Sequence, residues 1–168
     1  MPITLHVYDR AAAVRYARTW ALGRNPQYYD YETIGGDCTN FVSQCLYAGA
    51  GIMNYTPTFG WYYIDANNKS PSWTGVGYLY QFLMRSTRSV GPAAQESALQ
   101  ALEPGDVVQL SFDGVNWQHT PLVISAEHAR SPDEVLLAAH SHDSYARPLS
   151  SYVYQSARFL HITGVWKP

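Results

Sequence analysis

The residues of this 168-residue chain best suited to nucleophilic chemistry are two cysteines and six histidines. Cys38 follows Gly35-Gly36-Asp37 and stands at the first turn of a predicted helix. Free N–H groups and the helix dipole favour a thiolate there. The same N–H groups can stabilise an oxyanion on a substrate. Gly35-Gly36 lets the backbone bend and a substrate come close. Residue type alone points the other way, because a free cysteine is usually buried and inert. Cys45, on the apolar stripe of the same helix, is read that way outright. The two cysteines are about 10 Å apart along a helix rising 1.5 Å per residue, beyond the ~7 Å Cα reach of a disulfide. Both thiols are therefore expected to be free. A thiolate nucleophile needs a base, usually histidine. His119 begins one predicted strand; His140 lies near the end of the next, with His142 and Asp143 beyond it. His6, His128 and His161 have no such setting. A zinc site built from Cys38, His119, His140 and His142 is open on residue types, although the cysteine spacing fails the usual zinc patterns.

The elements that must position these groups follow from periodicity. Asp9 is placed to cap a helix over Arg10 to Leu22, with Ala13, Tyr16, Ala17, Trp20 and Ala21 on one face. Asp37 is expected to cap a second helix from Cys38 to about Ala48, closed by Gly49 and Gly51, with Phe41, Val42, Cys45 and Leu46 inward. Asn40, one turn in, is placed to orient neighbouring loops. The aromatic run from Ile52 to Thr74 has no clear period and reads as loop with fragments of structure; Gly75 to Arg88 reads as helix, with Tyr78, Leu79, Phe82 and Leu83 inward. Strands are expected at Val107 to Phe112, His119 to Ala126, Val135 to Ser141 and Phe159 to Trp166, with a hairpin signal at Asp113-Gly114. Helices first and an antiparallel sheet after is an α+β arrangement. No internal linker divides the chain, so residues 1–168 read as one domain.

Composition narrows the partners. With a net charge of −2 and no Lys/Arg run, bulk electrostatics gives no reason to expect nucleic acid. No stretch approaches the roughly 18 apolar residues of a membrane span. The first residues lack the basic start and apolar run of a signal peptide, which is read as a cytoplasmic protein or a fragment of a larger secreted one. The 14 Tyr and 5 Trp are an unusual total; most are expected in the core or on ordinary surface, but such rings also line peptide and sugar grooves. Trp61 and Trp73 are the choices for a substrate groove wall.

The run Gly35-Gly36-Asp37-Cys38-Thr39-Asn40-Phe41-Val42-Ser43-Gln44-Cys45-Leu46 resembles the nucleophile helix of the putative amidase domain family. That family is related to NlpC-type and CHAP peptidases of the papain-like superfamily. Tyr8-Asp9-Arg10 through Tyr16-Ala17, then Asn25-Pro26 and Tyr29, resembles its opening helix and connector. Leu102-Glu103-Pro104-Gly105-Asp106-Val107-Val108 resembles the motif that leads into the superfamily's sheet, His119 follows at the matching distance, and Ala138-Ala139-His140-Ser141 resembles the segment with the third catalytic residue. The chain departs from the pattern at Thr120-Pro121; proline cannot donate a ladder hydrogen bond, so this strand is expected to begin at an edge or carry a bulge.

The resemblance implies a papain-like, NlpC-type fold and a cysteine-dependent amide or peptide hydrolase. Cys38 is then the nucleophile, His119 the general base, and His140 the residue that orients the His119 ring, with Asp143 as its alternative. It also implies bacterial cell-wall peptide or a related peptide as substrate, with no metal or organic cofactor. Acyl transfer through the same acyl-enzyme stays open, as does an inactive peptide- or glycan-binding module of the same fold.

Overall fold

The computed structural model describes residues Met1–Pro168. A short strand, β1 (Thr4–His6), precedes helix α1 (Arg10–Trp20). Asp9 caps α1 as expected, its carboxylate accepting from the Ala12 N–H at 3.0 Å. The buried face of α1 is Ala13 and Ala17, small enough to let it lie close on α2 (Cys38–Ala50). Gly49 makes the approach possible, since a Cβ there would stand 2.4 Å from the Tyr8 ring. Gly51, at φ 72°, ends α2 in the left-handed conformation.

The aromatic run after α2 holds a two-stranded hairpin, β2 (Tyr63–Asp65) with β3 (Asn68–Lys69), and a single turn, α3 (Pro71–Thr74). Helix α4 (Val76–Leu83) stops short of the expected Arg88. The Arg85 guanidinium takes the carbonyls of Phe82, Ser89 and Pro92 and turns the chain into β4 (Gly91–Ser97), a strand without a clear sequence signal. Leu79, Phe82 and Leu83 of α4 face inward, whereas Tyr78 is half exposed, contrary to expectation.

The remaining strands are β5 (Val107–Ser111), β6 (Leu122–Ser125), β7 (Leu136–Ala139), β8 (Ser144–Pro148) and β9 (Ser156–Lys167). They form a curled antiparallel sheet in the order β1-β9-β5-β6-β7-β8, with β4 also on β9. The α+β expectation holds. Period-two alternation sorts the sheet's side chains between two cores. Val107, Leu122, Ala138, Leu160 and Ile162 pack toward the helices. Val108, Leu110, Val123 and Leu137 face a smaller cluster closed by Leu149 and Tyr152.

Asp106 locks the helical layer to the sheet. Its buried carboxylate accepts from Arg10 (2.8 Å), Glu103 N–H (2.9 Å), His161 Nδ1 (3.0 Å) and Ile162 N–H (2.8 Å). Two expected strands are shorter than their apolar runs. His119 makes only an isolated bridge to Leu110, and β6 starts after Pro121, where ladder donation resumes. β7 ends at Ala139, so His140 lies just outside the strand rather than within it. No helix is long and apolar enough to cross a membrane.

Candidate active site

Cys38 opens α2, and the segment His119-Thr120 lies against that end of the helix. Thr39 Oγ1 donates to Thr120 Oγ1 at 3.1 Å and ties the two together. Cys38 is buried to 7% exposure, and burial pushes its thiol up. The Thr120 and Thr39 N–H groups, which donate to the sulfur, and the contact with the Thr39 hydroxyl pull in the other direction. Burial also pushes the His119 imidazole down to about 4, with smaller contributions from Arg147 and His142. Burial thus favours the uncharged form of both the Cys38 thiol and the His119 imidazole. Both cysteines are free, and Cys45 is sealed in the core.

The residues around Cys38 are held differently from expectation. Asp37 occupies the N-cap position of α2 but makes no capping bond. Its carboxylate accepts instead from the Tyr31 N–H (2.9 Å), Asn40 Nδ2 (2.8 Å) and His140 Nδ1 (2.5 Å). The first N–H groups of α2 thus stay free of a side-chain cap, and no carboxylate is folded over them. Gly36, at φ 98°, brings its backbone under Ser141, whose hydroxyl accepts the Asp37 N–H at 3.2 Å. Asn40 does brace loops: Nδ2 donates to the Tyr29 carbonyl at 2.9 Å, and Oδ1 accepts from Trp73 Nε1 at 3.0 Å.

The expected bond from His140 to His119 is not made. His140 is buried, its Nδ1 spent on Asp37 and its Nε2 on the Trp20 carbonyl at 2.8 Å. Both ring nitrogens are thus engaged away from His119. Asp143 is not near His119 either; Arg24 grips it at 2.7 and 3.1 Å. The group that meets His119 is Tyr152, with its hydroxyl 3.4 Å from Nε2 and the two ring centroids 5.4 Å apart. Nothing local in the sequence marked Tyr152. It follows a single 3-10 turn far along the chain, and only the curl of the sheet brings it to His119.

Trp61 and Trp73 are fully buried in the main core, which overturns their assignment to a groove wall. Their rings pack at 4.9 Å, and Trp61 Nε1 donates to Ser43 of α2 at 3.2 Å. Trp73→Ala is expected to cost about 3–5 kcal/mol by emptying the core and to orphan Asn40 Oδ1. Chemical denaturation should show that loss. A normal midpoint would return Trp73 to the surface.

A cavity of about 330 Å³ opens beside His119, walled by Phe112, Gln118, Arg147, Tyr152 and Val153 among others. A recess of similar size near Asn54 and Tyr78 is lined by no cysteine or histidine. No group of three or more His, Cys, Asp and Glu side chains is arranged to hold a metal ion, and His140 has no ring nitrogen to spare for one.

The model of one protein family, described as a putative amidase domain, matches residues 7–163. The chain is 34% identical over 143 residues to the uncharacterized protein YhbB of Bacillus subtilis (strain 168), a match covering 83% of this chain and 43% of that protein. The chain thus spans less than half the length of that relative. No solved structure matches it.

Proposed function

The chain belongs to the putative amidase domain family, and on that premise we propose that it is a cysteine-dependent amide hydrolase of papain-like type, acting as one domain over residues 1–168. The observation that supports this reading is the meeting of the Cys38-Thr39 start of α2, uncapped by any side chain, with the His119-Thr120 segment, whose His119 lines a cavity.

In this reading the carbonyl carbon of the substrate amide approaches Cys38 Sγ. His119 Nε2 faces Tyr152, which leaves Nδ1 to take the thiol proton as the sulfur attacks. The charge developing on the carbonyl oxygen is met by the free N–H groups of the first turn of α2. His119 returns its proton to the departing amine, and a thioester remains on Cys38. Water then adds to the thioester with His119 again as base, and the carboxylic acid leaves. A resting pair of uncharged groups makes His119 a general base that acts during attack, rather than half of a preformed ion pair. The substrate we favour is a peptide, with bacterial cell-wall peptide as the first to try. Digestion in H₂¹⁸O with mass analysis tests the reading. Hydrolysis leaves one ¹⁸O on the new carboxyl end. Acyl transfer leaves none, and an inactive binding module leaves the peptide whole.

Tyr152 takes the positioning role first expected of His140. In this reading its oxygen accepts from Nε2–H and favours the tautomer with a free Nδ1 lone pair. Tyr152→Phe is expected to lower kcat about tenfold with KM little changed. The pH profile supplies a second readout. His119, neutral above about 4, keeps its base form down to acid pH, so the acid limb of kcat/KM should lie near 4 rather than near the ordinary 6.5. The same depression links to stability. Between about 6.5 and 4 the unfolded chain binds a proton that the folded chain excludes, so this contribution is lost as pH falls through that window. A Tyr152→Phe enzyme with unchanged kcat and acid limb, and only a lower melting temperature, would reduce Tyr152 to packing.

A further inference from the structure

The hydrolase reading leaves open what the cavity beside His119 accepts. Its wall contains no carboxylate, and its one permanent charge is Arg147. Every partner of that arginine is neutral. Nε donates to Ser151 Oγ at 2.7 Å, Nη2 donates to the Ser151 carbonyl at 3.2 Å, and the guanidinium lies 3.6 Å over the Tyr152 ring. These anchors occupy the Nε/Nη2 edge and one face. The edge formed by Nη1 and the second Nη2 N–H has no partner in the protein. The nearby acid Asp143 is turned away into the grip of Arg24, which also holds Asp30 at 3.2 Å. The acids of this region are thus drawn to Arg24, and the cavity keeps an unneutralised cation. Two parallel N–H donors on a planar fork match a carboxylate bidentately. An arginine already held by serine and tyrosine loses little freedom on binding one.

We propose that this cavity receives a substrate with a free carboxylate next to the amide that Cys38 attacks, and that Arg147 is the group that binds it. The amide half rests on the hydrolase reading; the carboxylate half rests on Arg147. Binding would also place a negative charge beside the cation that now depresses His119, making the base stronger once substrate is seated.

Two alkylating reagents of nearly equal size test the charge. Iodoacetate carries a carboxylate and iodoacetamide its neutral amide. With either, Cys38 Sγ bonds to the methylene carbon, iodide leaves, and the thiol proton passes to His119 or water. Peptide mass mapping follows Cys38 separately from Cys45. The ratio of iodoacetate to iodoacetamide rates should fall about tenfold in Arg147→Gln and lie between in Arg147→Lys, which keeps the charge without the fork. Added salt should lower the wild-type ratio.

A second measurement does not use the thiol. The His119 ring resonances are followed by NMR during titration with N-acetylglycine, with the α-amide of N-acetylglutamate, and with N-acetylglycinamide. The first acid offers a terminal carboxylate and the second a side-chain one, so the tighter of the two identifies the source. The neutral amide should not saturate, and Arg147→Gln should abolish saturation by either acid. Equal response to acids and amide, or ratios and shifts unchanged in Arg147→Gln, overturns the proposal. If neither reagent modifies Cys38 in the folded protein while the acids still bind through Arg147, the hydrolase reading falls and the carboxylate site stands.

Discussion

Cys38→Ala is expected to lower kcat for amide cleavage by about 10⁴-fold or more, with a folded protein and a near-normal melting curve. The sulfur is the only atom that forms a bond to substrate in the proposed reaction, so no neighbour can replace it. Its side chain is small, and its polar neighbours at the start of α2 are the Thr39 hydroxyl and the Thr39 and Thr120 N–H groups. Cys45→Ala is the matched control. Cys45 sits two turns further along the same helix, fully buried among apolar side chains. Losing its sulfur should cost about 1 kcal/mol of stability and leave kcat within about twofold. Product formation on a cleaved peptide and chemical denaturation, run on both variants, separate the two thiols. A folded Cys45→Ala protein without turnover beside an active Cys38→Ala protein would reverse the assignment.

Asp37→Ala is expected to destabilise the protein by about 3–5 kcal/mol, because several buried donors lose their acceptor at about 1–3 kcal/mol each. The reason is not a lost cap, because Asp37 caps nothing. Its carboxylate gathers the Tyr31 N–H, the Asn40 amide and the His140 ring in a place without water to replace it. Removing it leaves the buried His140 Nδ1 without a partner and frees the Gly35-Gly36 approach to Cys38, so kcat should fall together with the melting temperature. A cycle with His140 distinguishes this from a simple cavity. Asp37→Ala and His140→Phe together should cost clearly less than the sum of the two singles, because the double variant leaves neither member of that hydrogen bond without its partner. Additive losses would mean that the two residues do not act as a pair.

The correction at Asp37 shows where reasoning from sequence loses its hold. An aspartate before a helix is a sound reason to predict a cap, and the same rule succeeds at Asp9, where the exposed carboxylate meets only local N–H groups. At Asp37 a residue 103 positions away, His140, competes for the carboxylate and takes it. Local preference ranks only the partners that are local. The same limit explains Trp61 and Trp73. Indole suits both a groove and a core, and only the packing of α3 and the hairpin against α2 puts both rings inside.

What the sequence by itself determined is the set of groups that depend on near neighbours. The glycine pair, the start of α2, two thiols too far apart to bond, the apolar stripes and the alternation of β5 to β7 are written in spacings of one to seven residues. Spacing of that kind is physics that short stretches of chain obey alone. The curl of the sheet, the strands β1, β4 and β8, and the partners of His119 were decided by tertiary structure. β4 has weak strand propensity in Gly-Pro-Ala-Ala and forms because β9 offers it an unpaired edge. Tyr152 reaches His119, and His140 turns away to Asp37, because desolvated polar groups must find partners wherever the closed fold supplies them. That choice depends on distances across the molecule, which no local spacing contains.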